Sequence, residues 1–399
     1  MNKFISPFVA RGQVRAPRSK SLAHRLIIGA ALSKEKSVIS GVEQSEDVLA
    51  TLDCVRALGA KAELSGDVLE IIPSADGSAL VLPCRESGST LRFFLPIVLA
   101  LNREAELTGT RRLIERGIGV YKELFKEKGV EIRTGDTAVT VKGRLHGGLF
   151  KLRGDVSSQF VTGLLFALPL LVEDSTIELI PPVESRSYIN ITLGVLESFG
   201  IKIECLDENR FFINGNQSYR AGSFEVEGDW SGAAFLYGFN FMGGSVAVDG
   251  LSTESRQGDK ICLRYFGELK RGNEIDLSDT PDLAPVLFAL AAYFGRGDFV
   301  GTRRLAIKES NRALAMKEEL LKFGVKTAVG DNAVSIRSSG LLKPTKVLCS
   351  HNDHRIAMAL TLLLSVTGGE IEGAEAVRKS FPDFFEKIKE LGADIKDVT

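Results

Sequence analysis

The feature that most restricts this fold is a recurrence of two kinds of helix with opposite character. One kind is apolar on nearly every side and begins near Ser21, Gly88, Ser158, Asp229, Asp282 and Asp353. A helix without a polar face belongs in an interior. Each is followed by a short strand pattern that runs to Gly41, Gly109, Pro181, Gly250, Gly301 or Gly373. The other kind is amphipathic and stops at Gly59, Gly129, Gly200, Gly324 or Gly392, where a left-handed residue closes a helix. Several of these glycines recur at about seventy residues, a period that signals a repeat. Gly135-Asp136-Thr137-Ala138-Val139 and Gly330-Asp331-Asn332-Ala333-Val334 are near copies with hairpin character. Gly109-Thr110-Arg111-Arg112-Leu113 recurs unchanged as Gly301-Thr302-Arg303-Arg304-Leu305. One copy, near Gly267 or Gly272, is degenerate.

The expected unit is therefore helix-strand-helix-strand-strand, six times over. Alternating strands have one face to bury, so the apolar helices form a core and the sheets wrap outside it. Three units close one domain, and six give two similar α/β domains. A doubly wound open sheet also mixes helices and strands, but it needs no sixfold repeat in this order.

Charge and cysteine content remove several functions. Lys plus Arg number 50 against 51 Asp plus Glu, a net charge of −1, which does not suit a nucleic-acid coat. The longest apolar stretches, such as Phe160 to Val172, fall short of a membrane span. The opening residues MNKFISPFVARG hold no apolar signal region, so a cytoplasmic protein is expected. The 5 cysteines, Cys54, Cys84, Cys205, Cys262 and Cys349, are widely spaced without CxxC, as suits a reducing compartment and no zinc site. No P-loop, HExxH, GxSxG or strand-to-helix GxGxxG occurs, and neither a cofactor nor a metal is expected.

The helix starts carry the chemistry. Lys20 lies at a helix N-terminus, where a cation opposes the macrodipole unless an anion sits beside it. Arg25 and Arg92 each lie four residues into an apolar helix, and Arg355 lies two after Asp353. A buried arginine is costly unless paired, and bidentate contact with carboxylate or phosphate offsets that cost. Loops add Arg116, Lys308, Arg312 and Lys379. Taken singly, each cation reads as a surface salt bridge. Taken together, at equivalent points of a repeat, they suit a small substrate with several negative groups. Equivalent units place their helix starts at one end of each domain, and two such ends facing each other would form an anionic-ligand cleft. Asp282 and Glu309 are candidates for proton transfer, though Asp282 reads equally as a helix cap and Glu309 as a local ion pair. Ser157-Ser158-Gln159 offers donors at a helix start, or simple capping, and His354 reads as a core, capping or catalytic residue.

Read in order, these motifs resemble the 3-phosphoshikimate 1-carboxyvinyltransferase family of enolpyruvyl transferases. The resemblance runs from about Ala10 to the C-terminus. It rests on Ser19-Lys20-Ser21 with Arg25, Gly88 with Arg92, Glu115-Arg116-Gly117-Ile118-Gly119, Ser157-Ser158-Gln159, and Ser185 with Tyr188. Pro281-Asp282, Lys308-Glu309 with Arg312, Asn352-Asp353-His354-Arg355 and Lys379-Ser380-Phe381-Pro382-Asp383 continue it. Asn311 departs from the family's common aspartate, and Arg304 from its asparagine.

The resemblance implies two inside-out α/β barrel domains with buried parallel helices and outer sheets, one spanning 19–227 and the other 1–18 plus 228–399. It implies a monomeric enzyme that uses shikimate 3-phosphate and phosphoenolpyruvate, with no cofactor, metal, nucleic acid or membrane. Lys20, Ser21, Arg25, Ser157, Ser158, Gln159, Ser185, Asp282 and Lys308 would hold shikimate 3-phosphate. Lys20, Gly88, Arg116, Gln159, Arg312, Arg355 and Lys379 would hold phosphoenolpyruvate. Lys20, Asp282 and Glu309 would carry the acid and base steps. The sister family that acts on UDP-N-acetylglucosamine has Lys-Asn where Lys20-Ser21 stands and a cysteine in the loop here spanning Thr110 to Gly119. A non-catalytic anion binder on the same scaffold is the other alternative.

Overall fold

A computed structural model describes residues 1–74 and 80–398. The chain divides into two compact units, Lys20–Val226 and Met1–Ser19 with Glu227–Thr399.

In the unit Lys20–Val226, the helices Lys20–Leu32, Gly88–Ala100 and Ser158–Ala167 are the apolar ones. Gly88–Ala100 is buried from Thr90 through Leu99, so no face of it is left to water. Gly88–Ala100 and Ser158–Ala167 each link two parallel strands of a four-stranded sheet. Leu80–Pro83 runs parallel to Ala105–Thr108, followed across the sheet by Ala138–Lys142 and Glu131–Thr134, both antiparallel to their neighbours. The same order recurs in Gly148–Arg153, Ser175–Ile180, Arg210–Ile213 and Ile203–Cys205. In the first repeat the leading strand is Ser223–Glu225, taken from the far end of the unit and paired in parallel with Ser37–Ser40. This exchange closes the unit on itself.

The repeat is thus strand-helix-strand-helix-strand-strand, one strand longer than the unit read from the sequence. A parallel pair requires a long crossover, and the apolar helix is that crossover. The leading strands are short and only half-buried, which hides them from a periodicity argument.

The unit built from 1–19 and 227–399 keeps one complete copy: Ile275–Asp276, Arg296–Val300, Ala333–Arg337 and Lys326–Val329. Its other two repeats are completed by the N-terminus. Arg11–Arg15 pairs in parallel with Ser245–Asp249, and among the described residues that sheet has 2 strands. This is the degenerate copy: its helix Cys262–Arg271 contains Gly267 and stops at Gly272, with φ 83°, and no hairpin follows. In the last repeat Asn2–Ile5 sits between Gly369–Glu372 and Ile395–Val398, filling the place of a hairpin strand.

The helix stops agree with the sequence reading. Gly59, Gly129, Gly200, Gly324 and Gly392 all have positive φ, between 70° and 107°. Both near-copy turns join antiparallel strands. Among the described residues no helix is long and apolar enough to cross a membrane.

One internal contact fixes the helix that carries Arg92. Pro96 lies inside Gly88–Ala100 and has no N–H to give to the Arg92 carbonyl. The buried Tyr121 hydroxyl lies 2.9 Å from that carbonyl and 2.9 Å from the Phe160 carbonyl. It spans two apolar helices where Gly163 leaves no room for a Cβ between Tyr121 and Arg92. We expect Tyr121→Phe to lower stability by about 1–2 kcal/mol, because the orphaned carbonyl stays buried. Urea unfolding by circular dichroism would measure the loss, with an unchanged m-value.

Candidate active site

In the unit Lys20–Val226, the starts of the apolar helices hold the predicted cations and serines. Lys20 begins its helix, and its ammonium lies 2.7 Å from the Asp47 carboxylate. The anion required beside it is thus supplied by the next helix, Glu46–Ala57. One turn along, Arg25 is 3% exposed, and its described partners are neutral oxygens. It donates to the Ser21 carbonyl at 2.6 Å, to Thr192 Oγ1 at 2.8 Å, to the Tyr188 carbonyl at 3.2 Å and to Thr162 Oγ1 at 3.3 Å. Burial pushes its pKa down to about 10, which leaves it charged at neutral pH. Desolvated and without a carboxylate in contact, it is suited to an incoming anion.

Arg92 and Gln159 form a second pair. Arg92 Nη1 donates to Gln159 Oε1 at 2.5 Å, and Gln159 Nε2 donates to Ser89 Oγ at 3.0 Å. Arg92 Nη2 donates to the carbonyls of Arg116 and Gly117 at 3.1 and 3.2 Å. A Cβ at Gly88 would meet Arg116 Nη2 and Arg92 Nη1 at 3.0 Å, so this glycine leaves both guanidiniums in place. Ser157 caps its helix by accepting from the Gln159 N–H at 3.3 Å, and Ser158 is buried at the first turn. Ser185 is buried with φ 55° and precedes the helix Arg186–Ser198, which carries the Tyr188 carbonyl used by Arg25.

In the unit that includes 227–399, three carboxylates and three cations interlock. Arg312 is 1% exposed. Its Nε lies 2.8 Å from Asp353 Oδ2, its Nη1 2.8 Å from Asp282 Oδ1 and its Nη2 2.7 Å from Glu309 Oε2. Asp282 Oδ1 also takes Lys308 Nζ at 3.1 Å, and Asp282 Oδ2 takes Arg355 Nη2 at 3.1 Å. Arg355 Nη2 further donates to Ser231 Oγ at 2.9 Å. Burial alone would raise the Asp282 carboxyl, but Arg355, Lys308 and Arg312 outweigh it and hold it well below the usual range. Burial lowers the Lys308 ammonium, against the pull of Asp282. Lys379 Nζ donates to the Asn352 carbonyl at 2.7 Å.

The open readings of single residues now separate. Asp282 lies in the turn Pro281–Leu283 ahead of the helix Ala284–Phe294, and its carboxylate is spent on cations. Asp353 is a helix cap, accepting from the Arg355 N–H at 2.9 Å, and an Arg312 partner as well. Asn311 caps Arg312–Lys322 through its Oδ1, which an aspartate would also do. Arg304 Nη2 donates to the Ser278 carbonyl at 2.5 Å. The sequence reading left Asp47, Thr162, Thr192, Ser231 and the acceptor role of Asp353 out of the site. Asp47, Thr162, Thr192 and Ser231 are short polar residues on helices whose spacing does not mark them, and Asp353 was marked only as a helix start.

Glu318, Glu319 and His351 bring ligand-capable atoms within 4.8 Å of one another. The Lys322 ammonium already lies 2.9 Å from both Glu319 oxygens, so that carboxylate has its cation.

The fold has solved counterparts of one class. The chain matches the EPSP synthase of Acinetobacter baumannii at a TM-score of 0.80 and 21% identity, over 99% of this chain and 100% of that one. It also matches the enolpyruvyl transferase NikO of Streptomyces tendae at 0.77 and 17%, over 99% and 98%. The architecture is that of the enolpyruvyl transferases, two inside-out α/β barrels of buried helices and outer sheets. Curated 3-phosphoshikimate 1-carboxyvinyltransferases of Clostridium kluyveri and Clostridioides difficile are 39% and 34% identical, covering 98% of each chain. The model of EPSP synthase (3-phosphoshikimate 1-carboxyvinyltransferase) matches residues 8–388, and the chain belongs to that family of enzymes.

The Asp282 environment predicts a pH dependence. A carboxyl lowered by folding stabilises above its unfolded pKa of about 3.9, and that stability is lost as pH falls through the folded value. Asp282→Asn should therefore cost about 1–3 kcal/mol at pH 7. Its stability should also fall less steeply than the wild type's as pH drops below about 4. Urea titrations of both proteins across that range would check the sign.

Proposed function

We propose that the chain transfers the enolpyruvyl group of phosphoenolpyruvate to the 5-hydroxyl of shikimate 3-phosphate, releasing phosphate. The family match over residues 8–388 carries this reading, and the two charged clusters support it. The hydroxyl oxygen bonds to carbon 2 of phosphoenolpyruvate and gives up its own proton, which ends on the departing phosphate, while a separate proton adds to carbon 3. The carbon–oxygen bond to phosphate then breaks, carbon 3 gives up a proton and the double bond returns.

Lys20, Ser21, Arg25, Ser157, Ser158, Gln159 and Ser185 serve mainly to hold shikimate 3-phosphate. Lys308 joins them at its phosphate. Lys20, Gly88, Arg116, Gln159, Arg312, Arg355 and Lys379 serve to hold phosphoenolpyruvate. Fixed cations offset the repulsion between two anionic substrates and need not reorganise during the reaction. Asp282 orients the ring hydroxyl: held well below the usual range, it stays ionised and accepts a hydrogen bond, but it is a weak proton acceptor. Glu309 or Lys20 gives the proton to carbon 3. Shikimate-pathway work of this kind suits a monomer in the cytoplasm with no cofactor.

A coupled phosphate-release assay tests the reading. Turnover is expected with shikimate 3-phosphate as acceptor and not with UDP-N-acetylglucosamine; the reverse result would remove it. Lys20→Met and Glu309→Ala should each lower kcat by about 10²-fold or more while far-UV circular dichroism is unchanged. Near-normal kcat in either folded variant would contradict the role given to that residue.

A further inference from the structure

The segment Ser350–Asp353 turns through two successive residues in a sparsely populated backbone region. His351 and Asn352 stand in succession at φ 51° and 54°, in the left-handed region. Such residues persist where their surroundings over-determine them. Here the turn is held from several sides. The Asp353 N–H donates to the Ser350 carbonyl at 2.9 Å, and the Asn352 N–H to Ser350 Oγ at 3.2 Å. The His351 N–H donates to Cys349 Sγ at 3.3 Å. From this turn the His351 ring reaches out to the helix Arg312–Lys322. Its Nε2 lies 3.0 Å from Glu319 Oε1.

Glu319 is a firm anchor. It is fully buried, it takes Lys322 Nζ at 2.9 Å, and it accepts from the Cys349 N–H at 2.9 Å. The far side of the turn faces the chemistry. Its Asn352 carbonyl accepts from Lys379 Nζ at 2.7 Å, and Asp353 holds Arg312. A chain of contacts thus runs from Glu319 through His351 and the left-handed turn to Lys379.

We propose that His351, braced on Glu319, is a positioning residue that sets Lys379 for phosphoenolpyruvate, and that breaking the brace weakens binding of that substrate selectively. The inference rests on the assignment of Lys379 made under the proposed function. His351 itself touches neither substrate in this reading.

The imidazole is faced by Glu319, Glu318 and Lys322 of the helix Arg312–Lys322 and by Cys349, with Glu372 beyond Cys349. Its hydrogen bond to Glu319 raises its pKa against the opposing effect of burial. The brace is therefore charge-assisted below that raised value. It weakens to an ordinary hydrogen bond as pH rises through it, when the ring loses its charge.

The test is a steady-state comparison of wild type, His351→Asn and His351→Gln, varying each substrate in turn. Asparagine keeps the left-handed backbone but is too short to reach Glu319, whereas glutamine can still donate an N–H. His351→Asn should raise KM for phosphoenolpyruvate about tenfold, with kcat and KM for shikimate 3-phosphate within about twofold of wild type. His351→Gln should recover most of that loss. The ratio of wild-type to His351→Gln KM for phosphoenolpyruvate should climb with pH, since only the wild type loses a charge. An unchanged phosphoenolpyruvate KM in His351→Asn, or an equal rise for both substrates, overturns the inference. If His351→Asn does not fold, a pH-independent ratio for His351→Gln overturns it instead. A wild type that turns over neither substrate pair removes the assignment of Lys379 itself and the inference with it.

Discussion

A helix such as Ala284–Phe294, buried from Ala284 through Ala292, can only lie inside its unit. That constraint decides where charge can go. The flanks of such helices pack against apolar neighbours and cannot hold an ion without a large desolvation cost. Their starts can, because loops arrive there and backbone N–H groups are left over. Lys20, Arg25, Arg92 and Arg355 all lie within the first turns of apolar helices. The same placement that builds the core thus gathers cations at helix starts in each unit.

The two units satisfy those cations in opposite ways. Arg25 has neutral partners, and burial lowers its pKa to about 10 without discharging it at neutral pH. It keeps a net positive field. Arg312 is held by Asp353, Asp282 and Glu309, and those carboxylates raise its pKa above the ordinary guanidinium value despite burial. With Lys308 and Arg355 included, that cluster carries three positive and three negative groups. The first cluster carries positive charge that its neutral partners do not cancel. The other already contains its own anions, and they fix the cations in place.

Much of this was legible in the residues. A left-handed stop needs glycine, so Gly59, Gly129, Gly200, Gly324 and Gly392 announce helix ends directly. Apolar helices announce burial, and the arginines near their starts are found buried with them. The leading strands were not legible. Ser223–Glu225 completes a sheet with Ser37–Ser40 from the other end of its unit, and Arg11–Arg15 and Asn2–Ile5 complete sheets with the C-terminal half. Local periodicity carries no information about such distant partners. The partners of Arg25 were hidden for a related reason: Thr162 and Thr192 are ordinary helix residues until tertiary packing turns their hydroxyls toward one guanidinium. Asp47 became visible only when the helix Glu46–Ala57 was placed against Lys20.

The charge balance around Arg312 bears on which group gives up a proton. Under the proposed reaction, phosphoenolpyruvate enters beside a cluster whose charges already cancel. An added anion raises the proton affinity of every carboxylate near it. Asp282 resists, because Arg355, Lys308 and Arg312 all contact it and hold it well below the usual range. Asp353 has 0% side-chain exposure and is fixed by Arg312 and its capping bond. Glu309 is the remaining member, bonded to Arg312 and with 21% side-chain exposure against 17% for Asp282. Of the three carboxylates it is the least enclosed. In the proposed reaction Glu309 is therefore the carboxylate with the openest approach to carbon 3, while Asp282, held well below the usual range, stays ionised to orient the attacking hydroxyl.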